Sequence, residues 1–492
     1  MKSWQRKALV AVLILVVLVA GLFAYLHFAH RSDQPISATE GLDPVLAEPA
    51  DQTIPSVALA KPSGWGDKAP QAAEGLTVVR FAEGLNHPRT MLTLPNGDVL
   101  VAETNAPPGR GPGGIKGFFM KLFMSRVGAT TPSADTIVLL RDADGDGKAE
   151  QKHVFRKDDM RSPSGMAYGN GKLYIANHDA VLEFAFEPGP TALQGKPRQL
   201  MELPAAGNHW MRNLLLSPDG AHLYVAVGSA TNIADEGMKA EAGRAAIWEI
   251  DTATGRRRQY AVGMRNPNGM AWNPSTGELW AVVQERDMIG PDLVPDYLTN
   301  VPVGAQYGWP WVYWKNKFDE RVTWPMDTVM VEYTRKPEYA MGAHTAVLGL
   351  QFAQGGHRLG DRYDNGAFVA RHGSWNRKPP SGYDVVFVPF DANGNPQGKP
   401  LPVLTGFLEQ GGGKAHGRPV WLAFDKAGAL LVSDDTAGIV WRVIAPGATP
   451  SVAPKPVVTE HMKPEKELVD PTRPTTGGLK AGFTEGPDRL VR

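Results

Sequence analysis

The chain has 492 residues with 51 basic against 51 acidic side chains, so its formal net charge is zero, which argues against nucleic acid or any partner recruited by the field of the whole protein. It contains no cysteine, which excludes disulfides, thiolate metal sites, iron–sulfur clusters and C-x-x-C-H haem attachment and leaves redox chemistry to a non-covalent cofactor. Its 54 glycines and 41 prolines point to many short strands and turns rather than helical bundles.

From Ala8 to Ala29 runs an almost uninterrupted apolar stretch, preceded by Lys2, Arg6 and Lys7. At about 1.5 Å per residue, a helix of that length crosses a hydrocarbon core of roughly 30 Å. The run is longer than a signal-peptide core and no clear A-x-A site follows it, so residues 1–30 are read as a retained anchor. The basic flank keeps the amino end in the cytoplasm. This predicts a single-pass inner-membrane protein with its catalytic domain in the periplasm. Residues 31–75, rich in Pro, Ala and Ser without a sustained period, are expected to be a tether. Residues 446–492 are similar and are expected to be a disordered or surface-wrapped tail.

Between them, residues 76–445 repeat themselves. Six times an apolar strand leads through a Gly, Asn or Asp turn into a second strand: TMLTLPNGDVLVAET from Thr90, GMAYGNGKLYIANH from Gly165, NLLLSPDGAHLYVAVGS from Asn213, GMAWNPSTGELWAVVQE from Gly269, a looser VLGLQFAQGGHRLGDRYDNGAFVARH from Val347, and VWLAFDKAGALLVSDD from Val420. Such turns are hairpin signals because positive φ costs little at those residues. The spacing suits one four-stranded blade per copy, and radial closure removes exposed edges. The expected fold is all-β, a six-bladed β-propeller behind an N-terminal transmembrane helix.

The first hairpin of each blade lies nearest the axis, so the residues flanking it face one mouth of the channel. Those leading in are Arg89, Arg161, His209 with Arg212, Arg265, His344, and His416 with Arg418; those leading out are Glu103, His178, Ser229, Gln284 with Glu285, Arg371 with His372, and Asp434 with Asp435. Convergent basic groups suit a compact, multiply charged anion. The same residues would equally bond the walls and water of a non-catalytic binding propeller, and spacing does not separate the two.

Longer stretches carry more. GNHWMRNLLLSPDGAHLYVAVGS (Gly207), GMRNPNGMAW (Gly263), VQERDMIGPDLVPDYLTNVPVGAQYGWPW (Val283), AHTAVLGL (Ala343), HGSWNR (His372) and HGRPVWLAFDKAGALLVSDD (His416) resemble, in register over residues 75–445, the sorbosone dehydrogenase branch of the quinoprotein glucose and aldose sugar dehydrogenases. That resemblance implies an enzyme oxidising an aldose or sugar aldehyde by hydride transfer to pyrroloquinoline quinone, with Ca2+ and a membrane electron acceptor, either the quinone pool or a cytochrome. By the same resemblance His209 is the general base and Arg265 bonds the reactive quinone carbonyl. Asn266, Gln284, Asp292, Trp375, Arg377 and Arg418 contact the cofactor, with Asp287 a rival to Asp292. The main chain of Glu285 and Arg286 is offered to calcium, which prefers hard oxygen ligands. One departure stands out: Ser229 occupies the place where glucose-oxidising relatives have an acid that orients the base.

Three stretches invite other readings. DADGDGKAE (Asp142–Glu150) imitates a calcium loop, but the twelfth position holds His153, so a hairpin turn is expected. KGFFMKLFMSR (Lys116–Arg126) has an amphipathic composition, and the Trp-rich stretch Trp309–Trp324 reads as core and rim packing. A calcium-dependent lactonase-type hydrolase on the same fold would need several acidic side chains around the axis.

Overall fold

The computed structural model describes residues 3–28, 31–50, 57–108, 131–205, 207–326 and 329–457. The chain divides into two units, Met1–Lys455 and Pro456–Arg492, and every described helix and strand lies in the first. One helix, Ser3–Phe28, precedes the strands and is long and apolar enough to cross a membrane.

The strands form six blades, as the repeats predict. Blade 1 comprises Pro88–Thr93, Val99–Glu103, Thr136–Arg141 and Gln151–Arg156; blade 2 comprises Gly165–Gly169, Lys172–Ala176, Ala180–Ala185 and Arg198–Glu202. Blade 3 is Leu214–Leu216, His222–Val227, Ala246–Asp251 and Arg257–Val262; blade 4 is Asn266–Trp272, Leu279–Gln284, Pro295–Asn300 and Tyr339–Ala343. Blade 5 is Val347–Phe352, Gly366–Arg371, Asp384–Pro389 and Leu401–Thr405. Blade 6 takes Pro419–Phe424, Leu430–Asp434 and Ile439–Ile444 from the end of the repeat region, and its outer strand, Thr77–Ala82, from the beginning. This pairing closes the ring and leaves only the short outer edges of the blades.

Alternation along each strand builds the core. In blade 1, Leu100 and Ala102 pack with Met166, Leu173 and Ile175 of blade 2, while Val99 and Val101 point the other way onto Leu431 and Val440 of blade 6. The second strands are buried on both faces, which is why they read as unbroken apolar runs. Glycine appears where neighbouring first strands crowd the axis. A Cβ on Gly165 would stand 2.2 Å from the Arg212 carbonyl oxygen, and one on Gly269 would stand 2.6 Å from that of Leu348. The recurrent Gly-Met and Gly-Leu pairs of the repeats therefore mark close inter-blade approach. The axis itself is filled by Trp210, Met211, Leu348 and Val420, contributed by different blades.

The expected tether, residues 31–75, is instead laid onto the propeller. Glu40–Gly41 extends blade 4, Gln71–Ala72 extends blade 5, Lys61–Pro62 pairs with Lys414–Ala415, and Trp65 is buried beside Trp441. Short apolar insertions in a Pro- and Ala-rich segment carry no sequence period, and it is the unpaired outer strands of the blades that give them an ordered place. Most of the expected tail, and the 116–126 stretch, lie outside the described residues. The Asp142–Glu150 segment is the turn between the last two strands of blade 1, with Asp142 accepting the amides of Gly145 and Gly147; the carboxylates of Asp142, Asp144, Asp146 and Glu150 gather there.

Candidate active site at the channel mouth

The connections from second to third strands emerge on one face, and three of them build the site: 228–245 of blade 3, 285–294 of blade 4 and 372–383 of blade 5. His209 precedes the first strand of blade 3. Its Nδ1 lies 2.9 Å from the Ser229 carbonyl and 3.0 Å from Ser229 Oγ. The Ser229 hydroxyl donates to Thr231 O at 2.7 Å, so both of its oxygens face His209 as acceptors. The proton therefore resides on Nδ1, which makes Nε2 the basic nitrogen. Where the sequence resemblance leads one to expect an acid, His209 Nδ1 is held by a main-chain carbonyl assisted by a hydroxyl. The loop is braced by buried Glu241, which accepts the amides of Ala230 and Thr231 and the Thr231 hydroxyl. Arg212, fully buried and pushed down to about 9 by that burial, donates to the carbonyls of His209 and Met211.

Arg265 stands next to this base, with its carbonyl accepting the Ser229 amide. Its guanidinium donates to Asn232 O (3.1 Å), Asn232 Oδ1 (2.8 Å), Glu285 O (2.6 Å) and Asp287 Oδ2 (2.9 Å). Four of its five N–H donors are thus engaged, leaving one on Nη1. Asn266 and His209 both flank Gly228, where a Cβ would meet both side chains within 2.6 Å. Its amide donates to Gln284 Oε1 at 3.0 Å, and Gln284 donates onward to Val347 O.

Asp287, the rival of Asp292, is the carboxylate at this site. Besides Arg265 it faces His344 Nδ1 at 3.3 Å. Burial would raise its pKa, but Arg265 and His344 hold it below the usual carboxylate range, and His344 is raised in turn by Asp287. Asp292 lies elsewhere, buried against Arg377 at 3.1 Å, with both engaged by Ser32 of the N-terminal segment. Neither Arg377 nor Asp292 joins the His209 cluster. Trp375, half-buried in the same loop as Arg377, accepts the Ala58 amide through its carbonyl.

Of the two carbonyls expected to serve calcium, one is engaged. That of Glu285 already receives the Arg265 guanidinium, so a cation there would meet a positive charge on the same oxygen. The Arg286 side chain is wholly buried, donating to Pro310 O and Val312 O and pairing with Glu285 and Asp319. The sequence offers no sign of this, because the competition is between the entry to the first strand of blade 4, which carries Arg265, and the loops that follow its second and third strands.

A second cluster adjoins the first through Trp210, the residue after His209. Arg89 lies over the Trp210 ring and pairs with Asp435 at 2.5 Å, which also holds His372 at 3.1 Å. Arg418 donates to His372 O and Gly373 O and covers Tyr383. Of the other arginines of the expected ring, Arg161 is matched by Asp179, Arg371 by Glu40 and Asp384, and Arg265 by Asp287, while Arg212 is fully buried and bonded to main-chain carbonyls. Among the described residues Arg418 has no carboxylate partner, and His416 turns outward to Gly64 O. The ring of charge is therefore largely neutralised within the protein, and Arg418 is the cation left to meet an acidic ligand. Sequence reasoning missed Asn232, Glu241, Asp179, Glu40 and Asp384, none of which belongs to a motif of the repeats. The groups that remain, the basic Nε2 of His209, one N–H of Arg265, one amide N–H each of Asn266 and Gln284, and the Arg418 guanidinium, are of the kind that would meet a planar polycarboxylate with carbonyl acceptors.

A family model described as TrAA12-like matches residues 133–302 and 291–445, more than half of the chain. An uncharacterized protein of Borreliella burgdorferi is 27% identical over 299 residues, covering 58% of this chain and 76% of that one. A pyrroloquinoline quinone-dependent pyranose dehydrogenase of Coprinopsis cinerea is 36% identical over 124 residues, 22% of this chain and 16% of that protein. Among solved structures, a Trichoderma reesei protein of Carbohydrate-Active Enzymes family AA12 aligns with a TM-score of 0.63 at 21% identity over 77% of this chain and 98% of that chain. The pyranose dehydrogenase PQQ domain from Coprinopsis cinerea, in holo form, aligns with a TM-score of 0.60 at 23% identity over 78% and 100%. These alignments establish the same propeller fold.

Proposed function

This chain belongs to the TrAA12-like family, and on that premise we propose that it is a quinoprotein dehydrogenase that oxidises an aldose or a sugar aldehyde of the sorbosone type. The observation that carries the proposal is the His209–Ser229 pair: an imidazole at the channel mouth whose tautomer is fixed with Nε2 as base, beside Arg265, Asn266 and Asp287. When bound, pyrroloquinoline quinone supplies a two-electron acceptor for the hydride leaving the substrate carbon. His209 Nε2 takes the proton of the anomeric or hydrated-aldehyde hydroxyl as that C–H bond breaks. The Ser229 carbonyl holds the resulting imidazolium in place, and the Asp287 carboxylate stabilises its charge. Arg418 pairs with a cofactor carboxylate, the last Arg265 N–H bonds a carbonyl that gains charge, and Asn266 with Gln284 supply amide contacts. Trp375 covers the site in this reading.

The similarity to a named pyranose dehydrogenase supports the substrate class, and the polar mouth supports a small sugar. The hydrolase alternative needs carboxylates able to hold a metal near the axis, yet Asp287, Asp435 and Asp179 are each committed to an arginine. The helix Ser3–Phe28 supports an anchored protein whose catalytic domain faces the periplasm and delivers electrons to an acceptor in the membrane. The test is reconstitution of purified apo-protein with pyrroloquinoline quinone, with and without Ca2+, in a dye-reduction assay across aldoses, sorbosone and simple aldehydes. Sugar-dependent dye reduction that requires the quinone is expected. Turnover without quinone, or none with it, overturns the reading, and the calcium arm decides the metal separately.

A further inference from the structure

The segment following the helix returns at once to the site. Ser32 donates its amide to Lys378 O (2.7 Å) and its hydroxyl to Asp292 Oδ1 (2.7 Å). Arg377 Nη2 donates to Ser32 Oγ and to Gln34 O, both at 2.8 Å. Arg377 and Asp292 are 2% and 5% exposed, so these are bonds inside a buried knot rather than surface contacts. Farther along, the Ala50 amide donates to Ile289 O and that of Ala58 to Trp375 O. The strap therefore crosses the 285–294 and 372–383 loops, which are tied to each other by the Met288 amide on Asn376 Oδ1 at 2.7 Å. Both loops lie on the face that carries the channel mouth.

Chain length now sets a bound. Phe28 ends the helix and Ser32 is fixed in the knot, four residues on, a span of at most about 14 Å even when fully extended. A helix of 26 residues reaches about 39 Å, so when it spans a core of roughly 30 Å its last turn stands at headgroup level. We propose that the propeller is leashed mouth-first to the bilayer, with the Ser32–Arg377 knot and the adjoining 285–294 and 372–383 loops lying at the outer lipid surface. The inference rests on the anchor reading above. Arg31 lies close enough to Lys378 that, after burial, its charge lowers the Lys378 pKa, and two neighbouring cations at this point suit an anionic lipid surface. On the strap, Leu42 and Val45 expose apolar side chains. With the mouth so placed, substrate enters from the side and electrons leave toward a lipid-soluble acceptor.

The absence of cysteine makes the orientation directly measurable. Single-cysteine variants of the full chain, Asp33→Cys and Glu48→Cys on the strap and Asp219→Cys and Lys426→Cys on the opposite hairpin turns, are labelled with a fluorophore in phospholipid vesicles carrying a headgroup-linked quencher. The strap labels are expected to lose most of their emission and the hairpin labels almost none. A flexible insertion of about 20 Gly/Ser residues between His30 and Arg31, with a mean reach of roughly 25 Å, is expected to abolish that difference. Equal quenching at all four sites, an unchanged difference after the insertion, or processing of the full chain to a released product that has lost the helix overturns the proposal. Dye reduction by the same vesicles reports on the dehydrogenase reading independently, so either can fail alone.

Discussion

The division of labour between His209 and Ser229 makes a sharp prediction about side chains. If His209 is the base, as proposed, His209→Ala is expected to lower turnover by about 10²- to 10⁴-fold while leaving quinone binding, read by calorimetry, intact. Ser229→Ala keeps the carbonyl on Nδ1 and is expected to lose less than about tenfold, because one acceptor is enough to fix the tautomer. A loss from Ser229→Ala as large as that from His209→Ala would mean that the hydroxyl, not the carbonyl, orients the base. Acid stability belongs to the same scale. His372 is pushed down to about 4, first by burial and then by Arg418, so the folded protein refuses a proton that the unfolded chain binds near 6.5. Its contribution to stability is therefore complete above pH 6.5 and is lost as the pH falls toward 4. His372→Gln is expected to flatten that part of the pH–stability curve, measured by denaturant midpoints at fixed salt.

At the scale of elements, the ring depends on one strand supplied from outside the repeats. Thr77–Ala82 pairs with Ile439–Ile444, and Phe81, 4% exposed, is its contribution to the core shared by blades 6 and 1. Phe81→Ala is expected to cost about 3–5 kcal/mol in equilibrium unfolding. Because closure removes two sheet edges at once, the loss should appear as a lower midpoint of a single transition rather than as fraying of one blade. A two-step curve with blade 6 melting first would contradict this. The strap acts at the same level: it holds the loops of blades 4 and 5 through bonds that no strand provides.

For the whole molecule, the anchor and the catalytic body make separable contributions. A chain beginning at Arg31 retains the Ser32 knot and all six blades, so it is expected to be recovered from the soluble fraction with dye-reducing activity near that of the full chain. Sugar-dependent oxygen uptake by membranes is expected to disappear. Undiminished uptake with the shortened chain would show that the helix is not what brings the site to its acceptor.

The six repeats were legible because each writes an alternating apolar pattern around a turn that needs glycine, asparagine or aspartate, and such periods survive any loop between them. The leading histidine and arginine of blades 3 and 4 were legible for the same reason, being locked in register to the first strand. What only the tertiary structure decided were pairings between loops: that Asp287 rather than Asp292 sits beside Arg265, that Arg377 belongs to the N-terminal strap, that Glu285 O is already taken, and that an unpatterned Pro-rich segment is woven into the sheet edges. Charge balance of that kind depends on distance between loops of unrelated length, and no local period encodes it.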